Sequence, residues 1–268
     1  ATDAPVWVVL LLSAEGKMVL ERSGSEIWCL DSTHNTGYGM TRDEKVFLTT
    51  IIVRSQDTGS GFPAAFLLTP SETQLPLAYF LSWVTKLVPA PKDVMVDCSV
   101  TEQAAIKITF SSSAQPPRIL LCQWHVVRAW EDNIKNKIKF PQLDDEGVAR
   151  SRQVQERCRK ILRDLVYAAQ PETFLAQFAE FQREWTMFFP DFMLYFRREW
   201  VTKRPPSMWS LAYRQHAHYG IDTNNYVESW HDNLKINYLG LIKKQRIDHV
   251  ICVLTREFIP DYVRRLVQ

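Results

Sequence analysis

The stretch VMVDCSVTEQAA, residues 94–105, marks the point where a strand ends and a helix begins. Its first three residues are apolar, which is typical of a buried strand, and a helical pattern starts at Thr101. Asp97 stands between them, where the apolar run stops. A second stretch, EIWCLDSTHNT at residues 26–36, places Asp31 in the same way. Since Asp is also common in the turns that follow strands, the pattern alone leaves open whether these acids have a function.

Length and composition limit the class of protein. The chain has 268 residues, of which 46% are hydrophobic, enough for one large core or for a core with an inserted subdomain. Lys and Arg number 32 against 30 for Asp and Glu, so the net charge of +2 neither requires nor excludes a nucleic-acid partner. The longest apolar run near the start, VWVVLLL at residues 6–12, is far shorter than the ~20 residues that span a bilayer. We therefore expect a soluble protein with no membrane partner.

The cysteines indicate a reducing compartment. The chain has 5 of them, scattered and without a Cys-x-x-Cys motif. Such usage favours free thiols over a disulfide framework. The cytosol or the nucleus is the expected location.

Hydrophobic periodicity predicts a mixed sheet with helices packed on it. Several β-rich runs between residues 6 and 68, including KMVLER at residues 17–22, read as an antiparallel meander. The patterns that follow predict a helix at 71–87, a strand at 93–97, a helix at 101–110, and a strand from Arg118 that leads into a long helix. This order of elements is typical of an α/β fold.

The organisation of the chain changes after Pro141. We predict a first part of the core at residues 1–140, an all-helical insertion at 141–218, and C-terminal helices that complete the core at 219–268. Arg-rich and aromatic-rich helical patterns fill the insertion, and strand patterns stop. The last segment contains TNNYVESWHDNLK, in which capping residues precede Glu228.

Three acids at these positions match the topology of ribonuclease-H-like nucleases, in which carboxylates from two strand ends and a late helix meet at one edge of the sheet. The candidates are Asp31, Asp97 and Glu228. Mg²⁺ takes hard oxygen ligands, and two such ions ~3.5 to 4 Å apart can hold the attacking and leaving oxygens of a phosphodiester. Ordinary turn and surface acids remain the alternative on pattern alone.

Five blocks, in order, carry a more specific signal: CLDSTHNTGYG, GFPAAFLLTPSET, VMVDCSVTEQAAIKITF, LCQWHVVRAW and NNYVESWHDNLK. Together they resemble the transposase domain of Mutator-like (MULE) DNA transposons. The resemblance implies a ribonuclease-H-like DDE fold, with Asp31, Asp97 and Glu228 as ligands of two Mg²⁺ ions, for which Mn²⁺ can substitute. It also implies that Cys122 and His125 are the Cys-x-x-His pair of the family.

The same resemblance implies double-stranded DNA as partner, both transposon ends and target, together with a nuclear location. The sequence leaves open whether the chain forms a homodimer. Zinc modules often flank this domain in the family and do not occur in the given sequence. The expectation is therefore a catalytic core fragment, or a relative that lost them. The rival function is a domesticated relative that binds DNA or regulates transcription without cutting. Retention of the three acids favours the enzyme.

For several candidate residues the sequence leaves more than one role open. Cys122 and His125 lack further partners at zinc-ligand spacing, so His125 is predicted to contact a phosphate or a metal-bound water, against the alternative of a buried structural histidine. His34 is a weaker candidate for phosphate contact. Cations after the last catalytic helix are predicted to contact DNA: Lys235, Lys243, Lys244 and Arg246.

The helical insertion leaves one choice open. Its aromatic residues form either a core or a surface that stacks on unpaired bases. Its Arg-rich helix is either a solvated face or a phosphate-binding one.

Overall fold

A computed structural model describes residues 7–140, 145–214, 221, 223–242 and 245–267. The chain divides into two compact units, the first being Ala1–Ile119 with Asn224–Gln268 and the second Leu120–Thr223. The predicted insertion, residues 141–218, lies within the second unit. Residues 120–140, which the sequence pattern assigned to the first part of the core, cluster with the second unit, because the helix they form packs on two helices of that unit.

In chain order the described elements are β1 (Val9–Leu12), α1 (Ala14–Ser23), β2 (Ile27–Tyr38), β3 (Lys45–Arg54), β4 (Gly61–Thr69), α2 (Gln74–Thr85), β5 (Asp93–Val96), α3 (Val100–Thr109), β6 (Arg118–Leu121), α4 (Gln123–Lys137), α5 (Asp145–Val166), α6 (Pro171–Phe188), α7 (Pro190–Arg197), α8 (Asn225–Asn233), β7 (Gln245–Arg246), α9 (Ile247–Val253) and α10 (Ile259–Val267). Wider, π-helical turns continue α7, α8 and α9 at their C-terminal ends. Among the described helices, none is both long and apolar enough to cross a membrane.

The strands form one mixed, open sheet of seven strands in the order β1-β4-β3-β2-β5-β6, with β7 paired to the end of β2. β1, β4, β3 and β2 pair antiparallel in that order, and β5 pairs parallel with β2. The apolar sequences of β3 and β4 are buried almost throughout, as expected of strands covered on both faces. The predicted α/β class with a mixed sheet is confirmed.

The segment KMVLER is helical, so the strand predicted there is wrong. It belongs to α1, which begins where the Ser13 hydroxyl accepts a hydrogen bond from the Gly16 N–H at 2.9 Å. Gly16, Val19 and Leu20 are buried, at the i, i+3 and i+4 spacing of a helix face. A Cβ on Gly16 would lie 2.3 Å from the Ala64 carbonyl oxygen, so glycine allows α1 to approach β4.

The second unit has an aromatic core. Trp130 meets Trp200 and Trp209 edge-on, with ring centroids 5.4 and 5.7 Å apart. The buried aromatic side chains among the described residues of the predicted insertion are Phe174, Phe181, Trp185, Phe192, Phe196, Trp200 and Trp209. These rings form the core of the unit and are not available to stack on bases, whereas Phe188 is exposed.

Three arginines of α5, Arg150, Arg157 and Arg159, form ion pairs with acids of the same unit. Arg157 pairs with Glu184 at 2.6 Å, and Arg159 pairs with Glu131 at 3.1 Å. Arg159 thereby links α5 to α4. Part of the predicted basic face therefore stabilises helix packing.

Candidate metal and active site

Asp31 and Asp97 lie side by side because of the register between β2 and β5. Cys29 pairs with Met95 across the parallel ladder, and each acid stands two residues further along its own strand. Side chains two residues apart point to the same face of a sheet. Asp97 follows the last residue of β5, as predicted, but Asp31 does not end a strand: β2 continues to Tyr38 against β3. The strand end predicted at Asp31 is therefore wrong: the pairing of β2 with β5 ends at Cys29, two residues earlier, while β2 itself continues.

The turn after β5 holds Asp97 in place. The Ser99 N–H donates to Asp97 Oδ1 at 2.6 Å, and the Ser99 hydroxyl caps α3 by accepting from the Glu102 N–H at 3.3 Å. In a capping box the glutamate at this position reaches back to the N–H of the cap residue. Here the Ser99 N–H is already bound to Asp97. The Glu102 carboxylate therefore does not take this partner and lies near Asp31 and Asp97 instead.

Glu102 joins Asp31 and Asp97 in one cluster. One carboxylate oxygen of each residue lies within 4.8 Å of the other two. Glu102 is 4% exposed, and its Oε2 has neither solvent access nor, by geometry, a hydrogen-bond partner among the described residues. Its Oε1 accepts from the Ser32 hydroxyl at 3.4 Å. This arrangement concentrates negative charge in a buried place.

The burial and the negative charge of the cluster change the pKa of Glu102. Burial raises the pKa of its carboxyl well above the ordinary 4.5, and the negative charges of Asp97 and then Asp31 raise this pKa further. Three carboxylates this close cannot all remain ionised unless a cation compensates them. Burial and these two charges therefore favour the protonated form of Glu102.

A cleft of about 360 Å³ opens beside the cluster. Asp31, Asp97 and Glu102 line it, together with hydroxyl side chains from β3, β4 and the segments that precede α2 and α3. His34 also lines this cleft, and its Nδ1 lies 3.4 Å from Glu72 Oε1. The predicted candidate His34 is thus in the same cleft as the two aspartates.

Glu228 lies on α8, which packs across β2, β3 and β4. The side-chain amide of Asn224 donates to the Leu30 carbonyl at 3.0 Å and so ties the start of α8 to β2 next to Asp31. Glu228 is half-buried. The close cluster of Asp31 and Asp97 contains Glu102 and not Glu228. The role of Glu228 as third metal ligand stays a prediction.

His231, one turn after Glu228, contacts the cluster directly. It is 4% exposed, and its Nδ1 lies 3.4 Å from Asp31 Oδ2. Sequence reasoning missed both His231 and Glu102. The Ser99-x-x-Glu102 pattern was visible, but it reads first as a helix cap, and His231 was visible only as a neighbour of Glu228 on the helix.

The remaining candidates differ in their surroundings. Lys235 Nζ donates to Thr33 Oγ1 at 2.5 Å, which places a cation two residues from Asp31 on β2. Arg246 forms an ion pair with Asp248. Lys243 and Lys244 lie outside the described residues.

Cys122 and His125 belong to the second unit. Cys122 is fully buried at the N-terminus of α4, and His125 in the first turn packs edge-on against Trp124, with ring centroids 4.7 Å apart. Their functional role stays a prediction.

Comparison with models of known protein families gives no match, and comparison with curated proteins gives none either.

Proposed function

We propose that this chain is the catalytic domain of a divalent-metal-dependent DNA transposase, which cleaves phosphodiester bonds at transposon ends and transfers the strand to target DNA. The observation that carries the proposal is the convergence of Asp31, Asp97 and Glu102 within 4.8 Å beside an open cleft. The five sequence blocks support DNA as substrate, since an acid cluster alone fits any phosphoryl transfer.

The strand arrangement around the two aspartates supports the proposed function, although less specifically than the acid cluster. A ribonuclease-H-like domain needs an acid on a central strand next to an acid that follows a parallel neighbour. β2 occupies the middle of the sheet, with antiparallel β3 on one side and parallel β5 on the other. Asp31 and Asp97 have this relationship.

The residues of the cluster fit a magnesium site. Mg²⁺ prefers carboxylate oxygens and keeps several waters, for which an open cleft has room. The buried carboxylate of Glu102 offers oxygen atoms next to those of Asp31 and Asp97. A bound Mg²⁺ or Mn²⁺ would supply charge stabilisation to the attacking and leaving oxygens of the phosphodiester.

The chain's own residues have separate tasks. Asp31 and Asp97 hold fixed positions because sheet pairing and the Ser99 N–H orient them. Lys235 contributes a positive charge beside Asp31 that attracts a phosphate. Glu228 is proposed as a further ligand on the strength of the sequence resemblance.

Asp97→Asn tests the proposal. It removes a ligand charge and keeps the size of the side chain, so metal-dependent cleavage and strand transfer should be lost while DNA affinity stays near wild type. Asp93→Asn is a matched control at the other end of β5, where Asp93 pairs with Arg118 at 2.6 Å. The control should lower the melting temperature and leave cleavage by the folded fraction intact. A wild-type chain that binds DNA and never cuts it with Mg²⁺ or Mn²⁺ would instead be a non-cutting DNA-binding relative.

A further inference from the structure

A line of polar contacts runs from the interior of the first unit to the acid cluster. Trp230 Nε1 donates to Thr50 Oγ1 at 3.1 Å, Thr50 Oγ1 lies 3.2 Å from His231 Nε2, and His231 Nδ1 lies 3.4 Å from Asp31 Oδ2. Thr50 is opposite Asp31 in the pairing of β2 with β3. Both Thr50 and His231 are buried, at 0% and 4% exposure.

The chemistry of these groups determines which atom donates and which accepts in each contact. An indole N–H can only donate, and an ionised carboxylate can only accept. Asp31 therefore favours a proton on Nδ1 of His231. With that proton on Nδ1, Nε2 can accept, and the Thr50 hydroxyl, which already accepts from Trp230, has its proton to donate there. Each group in the line then has a matching partner.

From this we propose that His231 is a positioning residue for Asp31: oriented by Thr50, its Nδ1–H faces Oδ2 and fixes the orientation of the carboxylate. The inference rests on the proposed metal site. Outer hydrogen bonds of this kind fix the orientation of ligating groups.

Binding of Mn²⁺ alone, titrated by calorimetry or electron paramagnetic resonance on the whole chain, tests this inference without catalysis. His231→Leu removes the donor and should weaken Mn²⁺ binding by about 10- to 100-fold, the usual cost of losing such a partner. His231→Asn keeps a nitrogen donor at the δ position and should bind Mn²⁺ close to wild type. Thr50→Val, which removes the donor to Nε2, should weaken binding in the same direction as His231→Leu.

Val227→Ala is the matched control for a structural effect. Val227 is buried on the same helix, so this change should lower the melting temperature through a cavity and leave Mn²⁺ affinity unchanged. If affinity falls with melting temperature in Val227→Ala as it does in His231→Leu, His231 has only a structural role and the inference fails.

Two other outcomes separate the inference from the proposed function. If Asp31→Asn abolishes Mn²⁺ binding while His231→Leu binds as wild type, the metal site stands and the positioning role is wrong. If wild-type protein binds no Mn²⁺, the metal site and the positioning role both fail.

Discussion

Asp97 and Glu102 are brought together by the residue between them, Ser99, whose N–H binds Asp97 Oδ1 at 2.6 Å while its hydroxyl caps the helix at the Glu102 N–H. A capping residue normally stabilises only its helix. Here the same residue also places a buried carboxylate against a second one. The stability of this turn and the charge of the cluster are therefore linked.

Glu102→Gln should stabilise the metal-free protein at neutral pH. The pKa of Glu102 is raised by burial, Asp97 and Asp31, so above its ordinary value of 4.5 the folded state keeps a proton that the unfolded state has lost. Stability is therefore lost as pH rises from about 4.5 through the folded pKa. Glutamine does not titrate and carries a donor. We expect the gain, on the order of 1 kcal/mol or about 2–4 °C in Tm, at pH 7 and not at pH 4.

Thermal melts of both proteins at several pH values with a chelator measure this difference. An equal shift of Tm at pH 4 and pH 7 would show that the titration of Glu102 does not contribute to it.

Added Mn²⁺ should make the Tm of the wild type higher than that of Glu102→Gln, the reverse of the metal-free order. A ligand that binds only the folded state stabilises by about 2.7 kcal/mol at 100 times its Kd. Wild type offers a full set of carboxylates, whereas Glu102→Gln has lost one. The rise in Tm with Mn²⁺ should therefore be larger for wild type. Equal rises would show that Glu102 is not a ligand and would favour Glu228 as the third one.

Lys235→Ala should change the salt dependence of DNA binding more than Arg246→Ala. Lys235 donates to the neutral Thr33 hydroxyl, while Arg246 is already paired with Asp248. Loss of one phosphate contact lowers the slope of log K against log salt by about 1. Fluorescence anisotropy at four salt concentrations measures both slopes. Equal slopes for the two variants would exclude a phosphate contact that Lys235 makes and Arg246 does not.

His125→Ala should lower the rate of single-turnover cleavage by about 10² to 10³, the range for removal of one stabilising donor, with metal binding retained. A structural histidine predicts a lower Tm and an unchanged rate in the folded fraction. A zinc site predicts the loss of a metal that is retained through purification of the wild type. Rate, Tm and metal content of this variant distinguish the three roles.

Gly16→Ala should destabilise the first unit by about 1–3 kcal/mol, because overpacking forces the backbone to shift. The added Cβ would lie 2.3 Å from the Ala64 carbonyl oxygen. Lys17→Ala, an exposed change in the same helix, is the control and should leave the denaturation midpoint nearly unchanged. A similar midpoint for both variants would mean that α1 can move away from β4 at little cost.

The sequence by itself determined the α/β class, most of the helices and the position of Asp97 after a buried strand. These features depend on local periodicity and on turn residues, which act over a few neighbours. It misassigned KMVLER, because a short apolar run fits either a strand or a helix. The hydrogen bond of the Ser13 cap and the close packing of Gly16 against β4 favour the helix.

Only the tertiary structure decided which acids meet. The pattern named Asp31 and Asp97, and the parallel register of β2 with β5 brings them together. Glu102 enters because the turn at Ser99 occupies the N–H to which its carboxylate would otherwise return. His231 enters because α8 crosses the strands that carry Asp31 and Thr50. Such contacts join residues far apart in the chain, and no local pattern encodes them.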